Sequence, residues 1–158
     1  MIFALVRTVG LHVDCCFWSR TFDFTLGPHS WLARWLCTFD FLFGHARLVT
    51  NGSQLNHQNN QPVFKDGIVS IHNGIIVNAK QIWDELENRA REYQIDTEVL
   101  NTLIDYQDSK NNGNTIKSVS STVKKLHGTV SAAFLFCQKN ELVLSTNNGS
   151  LYVSSNFK

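Results

Sequence analysis

One stretch of the chain, GIVSIHNGIIVN at residues 67–78, restricts the fold more than any other. It holds two β-branched runs, Ile68 to Ile71 and Ile75 to Val77, and Asn73-Gly74 stands between them. Asn-Gly between two such runs is the strongest short-range signal for a β-hairpin, because a type I′ turn needs positive φ angles. The sequence therefore predicts a hairpin that turns at Asn73-Gly74.

The chain that follows shows helical periodicity and then returns to strands. Asn78 stands at the N-cap position of a predicted helix whose apolar residues recur every three or four positions, and Asp96 opens a second helix. Because the helices are grouped between sets of strands, the order predicts an α+β layered fold rather than a βαβ alternation. The predicted helices are AKQIWDELENRAREY, DTEVLNTLIDYQ and TIKSVSSTVKKL, and the predicted late strands are TVSAAFLFC, ELVLST and SLYVSS.

Charge and composition argue against several classes of partner. A formal net charge of +1 gives no electrostatic reason to expect nucleic acid or an anionic membrane. No stretch approaches the roughly 18 apolar residues that cross a bilayer, and the first residues do not form a secretory signal, so we expect a cytoplasmic protein. No feature indicates a cofactor, and the spacing of the candidate zinc ligands matches none of the usual patterns. Those candidates are His12, Cys15, Cys16, His29 and Cys37.

Composition changes sharply near residue 43. Residues 1–43 contain no Asn, Gln, Lys or Glu, yet they hold seven of the eleven Phe and three of the four Trp. Residues 44–158 hold every Asn and read as an ordinary globular domain. Two interpretations of residues 1–43 stay open: irregular core strands, or foreign sequence from a shifted frame, a wrong start or a rearrangement.

Four polar features could carry chemistry: Arg47, Thr50, the Asn73-Gly74 pair and Asp96. Each has a simple structural explanation as a surface strand residue, a turn or a helix cap. Together they indicate more, because an arginine fork binds a carboxylate through two parallel hydrogen bonds while an aspartate complements an ammonium group. The Asn73 amide and the Gly74 N–H can both point at one oxygen, as an oxyanion hole does in acyl transfer. These groups suit a free amino acid whose side chain undergoes acyl transfer, most simply glutamine.

Several motifs resemble, in order and spacing, those of class II glutamine amidotransferase domains, which are N-terminal-nucleophile hydrolases. The motifs are GHARLVTNG (44–52), NNQPV (59–63), HNGIIVN (72–78), IDTEV (95–99), LHGTVSAAFLF (126–136) and LVLSTNNGSLYV (142–153). Residues 1–43 do not match the family. The resemblance therefore implies an amidotransferase domain over residues 44–158 with an atypical or incomplete N-terminal part.

The resemblance also implies a fold and a set of roles. The fold would be a four-layer αββα sandwich. Arg47 would hold the carboxylate of L-glutamine, Asp96 its α-amino group, and Asn73 with Gly74 the oxyanion, while Thr50 falls in the pocket loop. His72 is interpreted as structural, because it is not the family's base.

The family's nucleophile is a cysteine at the first position of the mature chain, whose own α-amino group serves as the base. This sequence opens Met1-Ile2-Phe3, and neither Cys15 nor Cys16 is followed by glycine. We therefore expect this polypeptide to lack the nucleophile and to be inactive. Its ammonia acceptor, a synthase domain or subunit, is not part of the 158 residues; the amino-sugar-phosphate type is favoured over a phosphoribosyltransferase or an asparagine synthetase. The alternative is a non-catalytic module that binds glutamine or another amino acid.

This expectation has a direct test in a glutaminase assay of the purified 158-residue chain. Without the nucleophile, release of ammonia from glutamine should stay far below enzymatic rates, and turnover of about 1 per second or above would contradict the expectation. The DNA upstream of the codon for Phe43 distinguishes the two explanations of an inactive chain. The usual opening of the family is Met-Cys-Gly-Ile; its presence there in another frame indicates a misread enzyme, and its absence favours the binding module.

Overall fold

The computed structural model describes residues 2–6, 20–26, 31–37, 41–47, 59–86, 88–139 and 141–153. In the first four ranges it describes the backbone, together with the buried side chain of His45. The elements are β1 (Ile2–Val6), β2 (Arg20–Leu26), β3 (Trp31–Cys37), β4 (Phe41–Arg47), β5 (Val63–Lys65), β6 (Ile68–Ile76), α1 (Ala79–Glu85), α2 (Thr97–Lys110), α3 (Thr115–Lys125), β7 (Gly128–Phe136) and β8 (Glu141–Thr146).

Two antiparallel sheets of four strands form the centre of the fold. The first has the order β1-β4-β3-β2 and the second the order β5-β6-β7-β8. β1 and β4 approach β6, while α2 packs on β5 and β6 and α3 packs on β8. The α+β class predicted from the sequence is thus confirmed, with a helical layer, the second sheet and then the first sheet. A further helical layer, which the αββα sandwich requires, stays a prediction.

Residues 1–43, whose composition is anomalous, contribute β1, β2, β3 and part of β4. The sequence alternates clearly only at Phe22-Asp23-Phe24, inside β2, but the backbone forms a regular antiparallel ladder from Arg20↔Cys37 to Leu26↔Trp31. These strands are therefore regular rather than irregular. Phe43 lies within β4, so the compositional change does not coincide with the end of an element. The division of the chain at this residue stays a prediction.

The predicted hairpin at Asn73-Gly74 is wrong. β6 continues through both residues, which pair with Ser131 and Val130 of β7. Gly74 does have a positive φ of 136°, but a Cβ there would lie 1.8 Å from the carbonyl oxygen of Thr129. Glycine thus allows two paired strands to approach closely instead of making a turn.

The hairpin that the sequence does encode lies a few residues earlier, between β5 and β6. Asp66 and Gly67 join these strands with φ angles of 54° and 73°. Positive φ at both positions is the type I′ requirement, and Asp-Gly is one of its preferred sequences. Asp66-Gly67 and Asn73-Gly74 both carry the sequence signal of a hairpin turn, so local sequence alone does not show which of them forms the turn.

Helices α2 and α3 match their predicted positions, whereas α1 is shorter than predicted. It ends at Glu85 instead of Tyr93. The segment after it is held by tertiary contacts: the carboxylate of Glu98 accepts hydrogen bonds from the backbone N–H groups of Glu92 and Tyr93, at 2.7 Å and 2.9 Å. These contacts fix backbone groups that a longer helix would have paired internally.

Both predicted helix starts are confirmed in position, but neither side chain caps its own helix. The Asn78 side chain donates to the carbonyl of Lys125 and accepts from His127 N, and so ties the start of α1 to the start of β7. The Asp96 carboxylate accepts from the backbone N–H of Ile76 at 3.0 Å. The two residues therefore connect elements instead of terminating them.

Apolar packing covers both faces of the second sheet. The predicted buried face of α2, formed by Val99, Leu100, Leu103 and Ile104, is at most 2% exposed and joins the larger core. A smaller cluster of Val69, Ile71, Ala133 and Leu135 occupies the other face, on the side of the first sheet. Of the predicted last strand SLYVSS, residues 150–153 are not in a strand, and Ser154 and Ser155 lie outside the described residues.

A buried ion pair between Lys65 and Glu98 joins β5 to α2. The Lys65 Nζ and Glu98 Oε1 atoms are 2.6 Å apart, and the two side chains are 7% and 0% exposed. Burial lowers the pKa of Lys65, but the hydrogen bonds and charges of Glu98 and Glu92 outweigh it, so the pKa lies above the ordinary 10.5. This contribution to stability is therefore complete below pH 10.5 and is lost as the pH rises through the higher value of the folded state.

Replacing Glu98 should strongly destabilise the fold. Glu98→Ala removes the buried partner of Lys65, which keeps only the exposed Glu92 and the carbonyl of Ala90, and it leaves two backbone N–H groups without an acceptor, so the free energy of unfolding should fall by about 3 kcal/mol. Urea denaturation measures the change. The control is Asp105→Ala, because the Arg89–Asp105 pair has the same short contact, 2.7 Å, at 34% exposure on both sides; it should cost less than about 1 kcal/mol. Equal losses in the two variants would contradict the assignment.

Candidate functional site

The last residues of β6 present a backbone N–H group at the side of the sheet. Val130, the partner of Gly74, uses both of its backbone groups on the β8 side: its N–H donates to Asn147 Oδ1 at 2.8 Å, and its carbonyl accepts from Asn147 N at 3.1 Å. In an antiparallel ladder both backbone groups of a residue point to the same side, so Gly74 and Val130 form a non-hydrogen-bonded pair. The Gly74 N–H therefore points away from β7.

Side chains occupy the two neighbouring positions along that side of β6. The Gln61 amide accepts from His72 N and donates to the His72 carbonyl, the latter at 2.9 Å. Two residues beyond Gly74, Ile76 N donates to Asp96 Oδ2 at 3.0 Å. Gly74 thus lies between an amide and a carboxylate, with its own backbone exposed.

Asp96 comes to this site from the start of α2. Its side chain is only partly buried, and one of its oxygens, Oδ2, is engaged by Ile76. The sequence predicted that Asp96, Asn73 and Gly74 share one pocket. In the structure the Asp96 carboxylate binds Ile76 N, two residues along β6 from Gly74. A partly exposed carboxylate that is held by a backbone hydrogen bond has a fixed orientation and a face open to a cation.

Of the other predicted site residues, Asn73 is exposed beside Gly74. Arg47 ends β4, a strand that approaches β6, and its backbone pairs with Leu32. The Arg47 side chain and the whole of Thr50 lie outside the described residues.

His72 lies beneath this surface, with its ring between β6 and α2. Its side chain is 2% exposed, and Nδ1 is 3.4 Å from Thr97 Oγ1. Burial lowers the pKa of His72 from the ordinary 6.5, and the charge of Asp96 and the carbonyl of Thr129 oppose this only in part. A neutral, buried ring agrees with a structural role. A Cβ on Gly74 would lie 3.3 Å from Nε2, so the ring supports the glycine from below.

Two polar segments that received no individual role from the sequence also border the site. In NNQPV, the fully buried Asn59 accepts from Gln94 N at 3.0 Å and donates to Gln94 Oε1 at 3.1 Å, while Gln61 binds His72. The residue types give a general indication, since Asn side chains often hydrogen-bond to backbone groups in place of regular pairing. Only the fold, however, shows which backbone groups they pair with.

The second segment is STNNG at residues 145–149, which comprises the end of β8 and the loop that follows it. Asn147 binds Val130 N through its side chain, and Thr146 Oγ1 donates to the carbonyl of Val130 at 3.0 Å. A Cβ on Gly149 would lie 2.3 Å from Ser131 Oγ, so the loop packs closely on β7. The Val130 N–H and carbonyl are hydrogen-bonded to Asn147 of this segment, so they form no hydrogen bonds with Gly74, although the two residues lie opposite each other in the ladder.

Within the described ranges the structure contains neither a metal-binding cluster nor a membrane-spanning helix. There, no group of three or more His, Cys, Asp or Glu side chains is arranged to hold a metal ion. No helix among the same residues has the length and apolar character needed to span a membrane. The side chains of the zinc candidates predicted in residues 1–43 lie outside the described part.

Comparison with known proteins gives consistent matches. The family model "Glutamine amidotransferase domain" matches residues 45–156. The isomerizing glutamine–fructose-6-phosphate aminotransferase of Mesorhizobium japonicum is 33% identical over 108 residues, which cover 67% of this chain and 18% of that protein. The enzyme of the same name from Neisseria meningitidis serogroup B is 31% identical over 115 residues, which cover 70% of this chain and 19% of that protein. The chain thus spans less than a fifth of these relatives.

A solved structure shares the fold. It is the glutamine phosphoribosylpyrophosphate amidotransferase of B. subtilis, which matches with a TM-score of 0.53 and 23% sequence identity. The match covers 68% of this chain and 23% of the solved chain. At this identity the likeness shows the fold alone, and it agrees with the N-terminal-nucleophile hydrolase fold inferred from the motifs.

The buried ring of His72 predicts a stability that depends on pH. Because its pKa is lowered in the folded state, the unfolded chain binds a proton first as the pH falls below 6.5, so the free energy of unfolding should fall in that range. One proton corresponds to at most about 1.4 kcal/mol per pH unit. Urea denaturation at pH 7.5 and pH 5.5 measures the loss, which His72→Gln should reduce. An equal loss in both proteins would show that His72 is not the group responsible.

Proposed function

Because this chain belongs to the glutamine amidotransferase family, we propose that it binds L-glutamine at the C-terminal end of β6, at the site where catalytically complete members of the family release ammonia from the side-chain amide. The reaction of the family converts glutamine and water to glutamate and ammonia, and an acceptor takes up the ammonia. The proposed location rests on the alternation of the β6–β7 ladder, which directs the Gly74 N–H away from β7, between the contacts of Gln61 with His72 and of Asp96 with Ile76.

Asn73 and Gly74 are proposed as the oxyanion donors. During acyl transfer the amide oxygen of glutamine becomes negatively charged, and donors that are already oriented stabilise it without reorganisation. The Gly74 backbone is held by the pairing of β6 with β7 and by the close approach to Thr129, and the Asn73 amide is exposed beside it. Both donors are therefore accessible and carried by a rigid strand.

Asp96 is proposed to bind the α-ammonium group of glutamine, and Arg47 its carboxylate. Asp96 keeps a partly exposed carboxylate in a fixed orientation beside β6. Arg47 ends a strand that approaches β6, which suits a partner at the opposite end of the substrate head. The role of Thr50 in the pocket loop remains a prediction from its motif.

No nucleophile is assigned among the described side chains. Cys137 directly follows Phe136, which pairs with Ile68, six residues along β6 from Gly74. At about 3.3 Å per residue this places Cys137 about 20 Å from the proposed oxyanion donors. Cys137 therefore does not serve this site.

The acceptor is proposed to be a synthase domain or subunit of the amino-sugar-phosphate type. The names of the two relatives, glutamine–fructose-6-phosphate aminotransferases, support this choice. The phosphoribosylpyrophosphate amidotransferase with the same fold represents the alternative acceptor. A cytoplasmic location likewise remains a proposal.

The role of Asp96 can be tested without turnover. Asp96→Asn keeps an oxygen to accept from Ile76 N but removes the charge, so it should weaken L-glutamine binding about tenfold or more, as the loss of a charged hydrogen bond does. Calorimetry should also be done with glutaramate, which is glutamine without its α-amino group. The variant should bind this analogue as the unaltered chain does.

Asp84→Asn on the exposed face of α1 is the matched control and should leave both affinities unchanged. Arg47→Ala should weaken glutamine and glutaramate together, because both carry the carboxylate. If Asp96→Asn weakens glutamine and glutaramate equally, or neither, then Asp96 does not bind the ammonium group.

A further inference from the structure

One short segment, Asn59–Gln61, holds both sides of the proposed glutamine site; we call it the brace. Its last residue binds the backbone of His72, next to Asn73-Gly74, and its first residue binds Gln94, two residues before Asp96. The proposed oxyanion donors and the proposed ammonium ligand are therefore both attached to the same three residues.

Gln61 takes the place of a strand beside β6. β5 pairs with β6 only from Lys65↔Ile68 to Val63↔Ser70. If the same register continued toward Gly74, Gln61 would lie opposite His72, but β5 begins only at Val63. The side-chain amide of Gln61 supplies both a donor and an acceptor to the His72 backbone instead. The end of β6 is thus held by β7 on one side and by the partly buried Gln61 side chain on the other.

Asn59 holds the opposite side. Its side chain is 0% exposed, and its amide pairs reciprocally with the backbone N–H and the side-chain oxygen of Gln94, at 3.0 Å and 3.1 Å. From Gln94 the chain passes through the buried Ile95 to Asp96, whose carboxylate returns to Ile76 N at 3.0 Å. The contacts form a closed frame: the brace, the end of β6 and the start of α2.

This frame connects Asn73-Gly74 to Asp96, so the separation between them must match the length of a ligand that contacts both. In glutamine three carbon–carbon bonds separate the carbon that bears the ammonium group from the amide carbon, and in asparagine two do. We infer that Asn59 and Gln61 are positioning residues that set the distance between the oxyanion donors and Asp96, and so select glutamine over asparagine. This inference rests on the proposed function and assigns the brace a role in specificity.

The test compares two ligands in brace variants of the full chain. Calorimetry gives the dissociation constants of L-glutamine and L-asparagine for the unaltered chain, for Gln61→Ala and for Asn59→Ala. A difference of one methylene corresponds to about 10- to 200-fold discrimination in a well-fitted site. Each brace variant should reduce the ratio of the two dissociation constants by about tenfold, because a looser frame no longer penalises the shorter ligand.

A matched control separates specificity from stability. Ser118→Ala on α3 removes a buried hydroxyl that donates to Asp108 Oδ1 and to the Asn114 carbonyl, at 3.1 Å and 2.7 Å, without touching the brace. It should lower stability and leave the ratio unchanged. In the ligand-free protein, the NMR signals of the Gly74 and Asp96 amides should shift in both brace variants and stay in place in Ser118→Ala.

The outcomes separate this inference from the proposed function. A ratio that stays constant in the brace variants, whether both affinities fall together or neither changes, overturns the inference, as do amide signals that do not move. If Asp96→Asn still weakens glutamine while the ratio is constant, the proposed function stands and only the role of the brace is lost. Failure of the unaltered chain to bind glutamine overturns both.

Discussion

The pairing of β6 with β7 is the constraint on which the rest of the structure depends. It runs without interruption from Ile68↔Phe136 to Ile76↔Gly128. The helical core packs on one face of these strands, and the cluster around Ile71 and Leu135 packs on the other. The same ladder fixes the direction of each backbone N–H, because alternate residues point to alternate sides. The proposed site is a consequence of that alternation at Gly74.

Around this ladder, polar side chains replace the backbone pairing that short elements do not provide. The Gln61 amide donates to the His72 carbonyl beyond the end of β5, and the Asn147 side chain accepts from Val130 N. The Glu98 carboxylate accepts from the backbone of the segment after α1. Buried amides and carboxylates of this kind stabilise only when all of their partners are in place, since an unpaired buried polar group is costly. This makes the geometry around Gly74 specific, and it makes the geometry sensitive to single substitutions.

The matches show that this chain corresponds to one part of the larger proteins to which it is similar. It matches the amidotransferase family model over residues 45–156 and spans less than a fifth of the aminotransferases to which it is similar. The first sheet is built from β1 to β4, of which all but the end of β4 precedes the matched range. The second sheet with α1, α2 and α3 lies wholly within that range and carries Asn73, Gly74 and Asp96, whereas Arg47 ends β4 of the first sheet.

The sequence by itself determined the fold class, the family, the positions of α2 and α3, and the set of residues to examine. Those features depend on local periodicity and on ordered motifs, which do not require knowledge of distant contacts. The sequence also identified Gly74 as a residue with positive φ. It did not reveal why: the same backbone freedom serves a turn or a close approach between strands, and only the carbonyl of Thr129 decides between them. In the same way, local propensity extended α1 to Tyr93, whereas the helix ends at Glu85 and the backbone N–H of Tyr93 donates to Glu98, which comes later in the chain. The roles of Asn59 and Gln61 could not be predicted either, because a side-chain amide can pair with any backbone group that the fold brings near it. Tertiary structure therefore decided which polar groups meet, since that depends on contacts between residues 11 to 35 positions apart.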